Sequence, residues 1–73
     1  MENKVLDIIN IIRQSNGMGL LTVIQPNDNL RNNIGFTSFD LAELTVRIED
    51  EFDVDIFEDG LIETIGEIYQ KLA

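Results

Sequence analysis

At 73 residues the chain is long enough for one small domain with a modest core, and its longest apolar runs are far too short to span a membrane. It contains no cysteine and no histidine, which excludes disulfides, thiolate nucleophiles, imidazole bases, Ser-His-Asp catalysis and nearly every zinc site. The net charge of −9 at pH 7 argues against nucleic acid and anionic lipid as partners and favours basic protein surfaces.

Residues 2–14 read as an amphipathic helix, because Val5, Ile8, Ile9 and Ile12 follow the i, i+3, i+4, i+7 spacing. The start, Met-Glu-Asn-Lys-Val-Leu-Asp, carries acids early and lacks a secretory pattern, so a cytoplasmic setting is expected. Asn16-Gly17 and Gly19 break the helix. Residues 16–37 then form a long Asn-rich connection, and a loop of that length needs anchors or a function. Leu20, Leu21, Val23, Ile24, Leu30, Ile34 and Phe36 are the candidate anchors, and a short helical turn fits 28–32.

A second helix is expected to start at Ser38 and end near Phe52. Thr37 fits its N-cap with Asp40 three residues on, a capping box, and Phe36 and Leu41 occupy the flanking staple positions. Leu41, Leu44, Ile48 and Phe52 form its core stripe. Val54 and Ile56 alternate with acids, which reads as an extended link. One helical turn is expected over 58–62, weakened by Gly60. The last helix has its own capping box, Thr64 with Glu67, an apolar stripe of Ile65, Ile68, Tyr69 and Leu72, and Lys71 in the last turn. No strand pattern competes. The expectation is one all-α domain over 1–73: a small four-helix bundle with a long first loop and a short third helix.

The charge is unevenly placed. Residues 1–31 sum to zero, whereas 32–73 hold 11 acids against Arg47 and Lys71. The acids at 49–59 do not make a calcium loop, because Phe57, Glu58 and Thr64 stand where that motif needs a ligand, glycine and glutamate. No metal site is expected. Ser38, at the first position of a capped helix, presents a hydroxyl to which a phosphate would find free N–H groups and the positive end of the helix dipole. Serine is also common there for capping alone. Phe39, Ala42 and Val46 fall on a different face from Leu44 and Ile48, beside Asp40 and Glu43. That reads as a small apolar docking patch rimmed by acid, or as isolated exposed residues of no consequence. Glu43 and Arg47 are spaced to pair.

The string Ile34-Gly35-Phe36-Thr37-Ser38-Phe39-Asp40-Leu41-Ala42-Glu43-Leu44 resembles the acyl carrier protein family around its modified serine. Ile24-Gln25-Pro26 with Leu30 upstream, and Ile48-Glu49-Asp50-Glu51-Phe52-Asp53-Val54-Asp55-Ile56 downstream, extend the likeness over about residues 20–72. The resemblance implies a non-enzymatic carrier. Ser38 would receive 4′-phosphopantetheine from coenzyme A and hold acyl intermediates as thioesters for fatty acid, polyketide or related biosynthesis. Asp40, Glu43, Glu49 and Asp50 would meet basic patches on a phosphopantetheinyl transferase and on acyl-transferring and ketosynthase-type enzymes, with Phe39, Ala42 and Val46 as the apolar part. Leu44, Ile48, Phe52 and Ile56 would line the core, and a monomer is expected. The alternative is a carrier-like fold used, unmodified, for protein–protein interaction. Three departures from the family pattern point to a specialised carrier: Thr37 for the usual Asp, Phe57 for a frequent Pro, and a stretch between Ile56 and Ile65 about two residues short.

Overall fold

The computed structural model describes residues 2–73 and contains three helices: α1, Glu2–Ser15; α2, Ser38–Phe52; and α3, Ile65–Leu72. No strand forms among the described residues, only one isolated antiparallel bridge between Asn29 and Thr64. No helix among the described residues is long and apolar enough to cross a membrane.

The α1 stripe behaves as its spacing predicts. Val5, Ile8, Ile9 and Ile12 are all buried. Gly17, at φ +76°, ends the helix: its N–H donates to Gln14 O while that of Met18 donates to Arg13 O. This pair of bonds satisfies two carbonyls that the last turn would leave open. On α2, Leu41, Leu44 and Ile48 face the same core, and α1 and α2 pack directly on each other. Asp53 closes α2 in the left-handed region at φ 59°, a conformation its short polar side chain tolerates.

The expected short third helix does not form, so the four-helix bundle is corrected to three helices among the described residues. Residues 56–59 make turns closed by Glu58 N–H to Asp55 O and Gly60 N–H to Phe57 O. Asp55 Oδ1 takes the N–H of Phe57, and Gly60 sits at φ +124°. A single turn fixes many dihedrals for few bonds, and without propagation it stays a turn. Residues 61–63 run on without helix, and the N–H of Leu30 reaches Glu63 O at 2.7 Å.

The long loop is anchored by fewer side chains than its composition promised. Leu30, Ile34 and Phe36 are buried and Leu21 and Ile24 half-buried, but Leu20 and Val23 are exposed. Backbone bonds do much of the anchoring. Ile65 N–H donates to Asp28 O and Gly66 N–H to Pro26 O, so α3 begins on the loop itself. A side chain at Gly66 would bring a Cβ within 3.0 Å of the Pro26 carbonyl oxygen. Ile65 and Ile68 complete the core from α3 together with Ile56 and Ile62. Phe52 is half-buried rather than a core residue.

Candidate functional site

Ser38 is the first residue of α2, and it is exposed. Thr37 caps the helix: its Oγ1 accepts from Asp40 N–H at 3.3 Å, and Thr37 N–H donates to Asp40 Oδ2 at 2.9 Å. Phe36 and Leu41 are both buried on either side of this cap, as staple positions should be. The cap fixes the direction of the first turn, and with it the outward placement of Ser38.

Asp40 departs from its expected place on a docking face. It is only 6% exposed, because its carboxylate folds back on the cap and its Oδ1 accepts from Asn16 Nδ2 at 2.9 Å. Thr37's backbone N–H holds the carboxyl below its ordinary pKa, and the Asn16 amide adds to this; burial opposes both. Asp40 is therefore part of the scaffold under Ser38 rather than a surface charge. Its position at N3 of a capping box carries that signal in the sequence.

The remaining docking candidates do come together. Phe39 is 81% and Val46 68% exposed, and Ala42 is exposed between them. Val46 lines a shallow groove with Glu49, Asp50 and Asp53. Glu43 accepts from Arg47 Nε at 2.8 Å, so this acid is largely matched, whereas Glu49 and Asp50 stand open to solvent. Among the described residues no group of three or more acids is placed to hold a metal ion.

Two features lay outside the sequence reading. Arg31 Nη2 donates to Ser38 Oγ at 2.6 Å from the loop opposite. Nothing in a lone loop arginine signals that contact. Beside the pair lies a cleft of about 220 Å³ lined by Arg31, Ser38, Leu41, Ala42, Thr45, Phe57 and Leu61. Leu61 is 89% exposed at its edge, where a helix had been expected.

The site fits a covalent phosphopantetheine group, with a solvent-facing hydroxyl, a helix start behind it and a cation within hydrogen-bond distance. A family model described as the phosphopantetheine attachment site matches residues 7–72. An acyl carrier protein from Syntrophobacter fumaroxidans (strain DSM 10017 / MPOB) is 33% identical over 76 residues, covering the whole of this chain and 88% of that relative. No solved structure matches significantly. Members of this family carry covalent 4′-phosphopantetheine and are carriers, not enzymes. On the full-length likeness and the matched attachment domain together, the chain belongs to the acyl carrier protein family.

Proposed function

We propose that Ser38 is the attachment point, and that the chain presents acyl groups to enzymes of a fatty acid, polyketide or related pathway. The observation that carries this is the exposed Ser38 hydroxyl at the start of a firmly capped helix. In the loading reaction Ser38 Oγ attacks the phosphorus nearer the pantetheine in coenzyme A. The serine proton leaves, an Oγ–P bond forms, and the P–O bond to the adenosine half breaks. The transferase supplies the base that takes the serine proton. The chain supplies a hydroxyl held clear of the fold by the Thr37–Asp40 cap. When bound, the group supplies a terminal thiol that holds an acyl chain as a thioester.

Partner recognition falls to the exposed face of α2. Phe39, Ala42 and Val46 give apolar contact next to Ser38, and Glu49 and Asp50 give the charge that attracts a basic partner. Leu41, Ala42, Phe57 and Leu61 make the cleft beside Ser38 apolar enough to shield a short stretch of acyl chain.

Incubation with coenzyme A and a promiscuous transferase should add one phosphopantetheine, read by intact mass, and Ser38→Ala should abolish it. A parent left unmodified by several transferases would favour an interaction module instead. Modification that survives Ser38→Ala would move the site elsewhere.

A further inference from the structure

Five cationic side chains serve this chain of 14 acids, and their partners differ in kind. Lys4 pairs with Glu51, Arg47 with Glu43 and Lys71 with Asp59. Arg13 donates to the carbonyls of Gly19 and Ile34, bracing the loop. Arg31 has no carboxylate within ion-pair distance among the described residues; its guanidinium rests on the hydroxyl of Ser38. A neutral hydroxyl engages one of the five N–H donors of a guanidinium, whose fork geometry suits a phosphate far better.

The backbone that carries Arg31 is built rather than loose. Asn29 Oδ1 accepts the N–H groups of both Arg31 and Asn32, and Asn33 Oδ1 accepts that of Asn29. Arg31 O accepts from Gly35 N–H, at a glycine with φ +87°. The neighbouring Leu30 is buried, and its backbone N–H is bonded across to Glu63 O. Arg31 thus projects from a turn fixed on both sides. Next to Ser38, residue 37 is a neutral threonine and the Asp40 carboxylate is turned inward, while Glu63, which shares a neighbouring groove with Arg31, forms no ion pair with it.

We infer that Arg31 is a positioning residue for the carrier arm: its guanidinium binds the phosphodiester once that group is joined to Ser38 Oγ. This rests on attachment at Ser38 and goes beyond it. A phosphodiester on Oγ places charged non-bridging oxygens two bonds beyond the atom that Arg31 already touches. Because Arg31 and Ser38 line the same cleft as Leu41, Ala42 and Leu61, the contact holds the phosphate at the mouth of that cleft. In a protein of charge −9 it also offsets the charge that loading adds.

The test compares unloaded and loaded protein in the parent, Arg31→Gln, Arg31→Lys and Arg47→Gln, with loading verified by mass. The phosphorus NMR resonance of the loaded parent should differ from that of free phosphopantetheine. It should move toward the free value in Arg31→Gln, recover in part in Arg31→Lys, and stay put in Arg47→Gln. Loading should raise the Tm of the parent by roughly 2–6 °C, as expected for one screened charge contact in a domain this small, and that increment should vanish in Arg31→Gln. Identical phosphorus resonances and identical loading increments in the parent and Arg31→Gln would overturn the role of Arg31 and leave attachment standing. A parent that takes up no group would overturn attachment, and this assignment with it.

Discussion

Asn16 Nδ2 donates to Asp40 Oδ1 at 2.9 Å, tying the residue just past α1 to the first turn of α2 across 24 positions of sequence. The bond joins the end of one helix to the scaffold under the attachment serine. Asp40→Ala should therefore cost about 1–3 kcal/mol, because it strips an acceptor from both the Thr37 N–H and the Asn16 amide. The same carboxylate gives stability a pH dependence. Its folded-state pKa lies below the ordinary 3.8, so the folded form resists a proton that the unfolded chain accepts. The stabilisation should be complete above about pH 5 and fall as pH drops below about 4, toward the lower folded value. Urea unfolding of the parent and Asp40→Asn across pH 2–7 checks this. The variant should start lower at neutral pH and lose less on acidification; equal losses would place the acid sensitivity elsewhere.

Thr37 makes both halves of its cap, so Thr37→Ala should cost about 1 kcal/mol by thermal unfolding. Sequence alone favours Thr37→Asp as neutral or stabilising, because a negative charge suits a helix start. The structure adds an opposing effect: Thr37 Oγ1 donates to Asp40 Oδ2 at 3.1 Å, and an aspartate there replaces that donor with a like charge. Thr37→Asp should therefore stay within about 0.5 kcal/mol of the parent. Its signature should be a raised Asp40 pKa by carboxyl NMR titration. Faster modification in the same variant would show that a transferase reads the missing charge.

Charge reversal on α2 should separate partner steering from stability. Glu49 and Asp50 are exposed, and neither carboxylate is paired in an ion bridge among the described residues. Glu49→Lys should slow transferase modification by roughly tenfold at low salt. The gap should close toward 1 M salt, where the screening length is about 3 Å. Glu43 is the poorer probe, because reversing it also breaks its pair with Arg47. Glu51→Lys serves as the control: Glu51 accepts from Lys4, a contact that raises the lysine pKa. Losing that exposed, solvent-screened pair should change stability little while leaving modification near the parental rate. Equal slowing by both reversals would mean that net charge, not this face, governs recognition.

The parts legible in the sequence are those set by neighbours close along the chain. Three helical stripes, two capping boxes and the exposed Phe39 and Val46 all follow from 3.6-residue periodicity and cap chemistry. The expected third helix failed because local pattern admits a turn but cannot say whether it propagates. Asp55, Gly60 and the bond from Leu30 to Glu63 settle that against a helix. Leu20 and Val23 looked like anchors by composition, yet part of the anchoring falls to backbone bonds whose partners lie more than thirty residues away and to Asn10 and Arg13 of α1. The contact of Arg31 with Ser38 spans only seven positions, but it depends on an Asn-built turn that no periodicity describes.

The splice between the loop and α3 governs how the molecule can come apart. The N–H groups of Leu30, Ile65 and Gly66 each cross between residues 26–30 and 63–66, and the bridge at Asn29 and Thr64 lies among them. Peeling α3 away breaks these bonds as a set, and residues 26–30 of the loop lose their long-range backbone partners in the same event. The two segments therefore open as one cooperative unit, even though one is helix and the other is not. Such a unit can yield at the α3 end while α1 and α2 remain clasped. The middle of the chain's longest irregular stretch is then bound to the lifetime of its shortest helix.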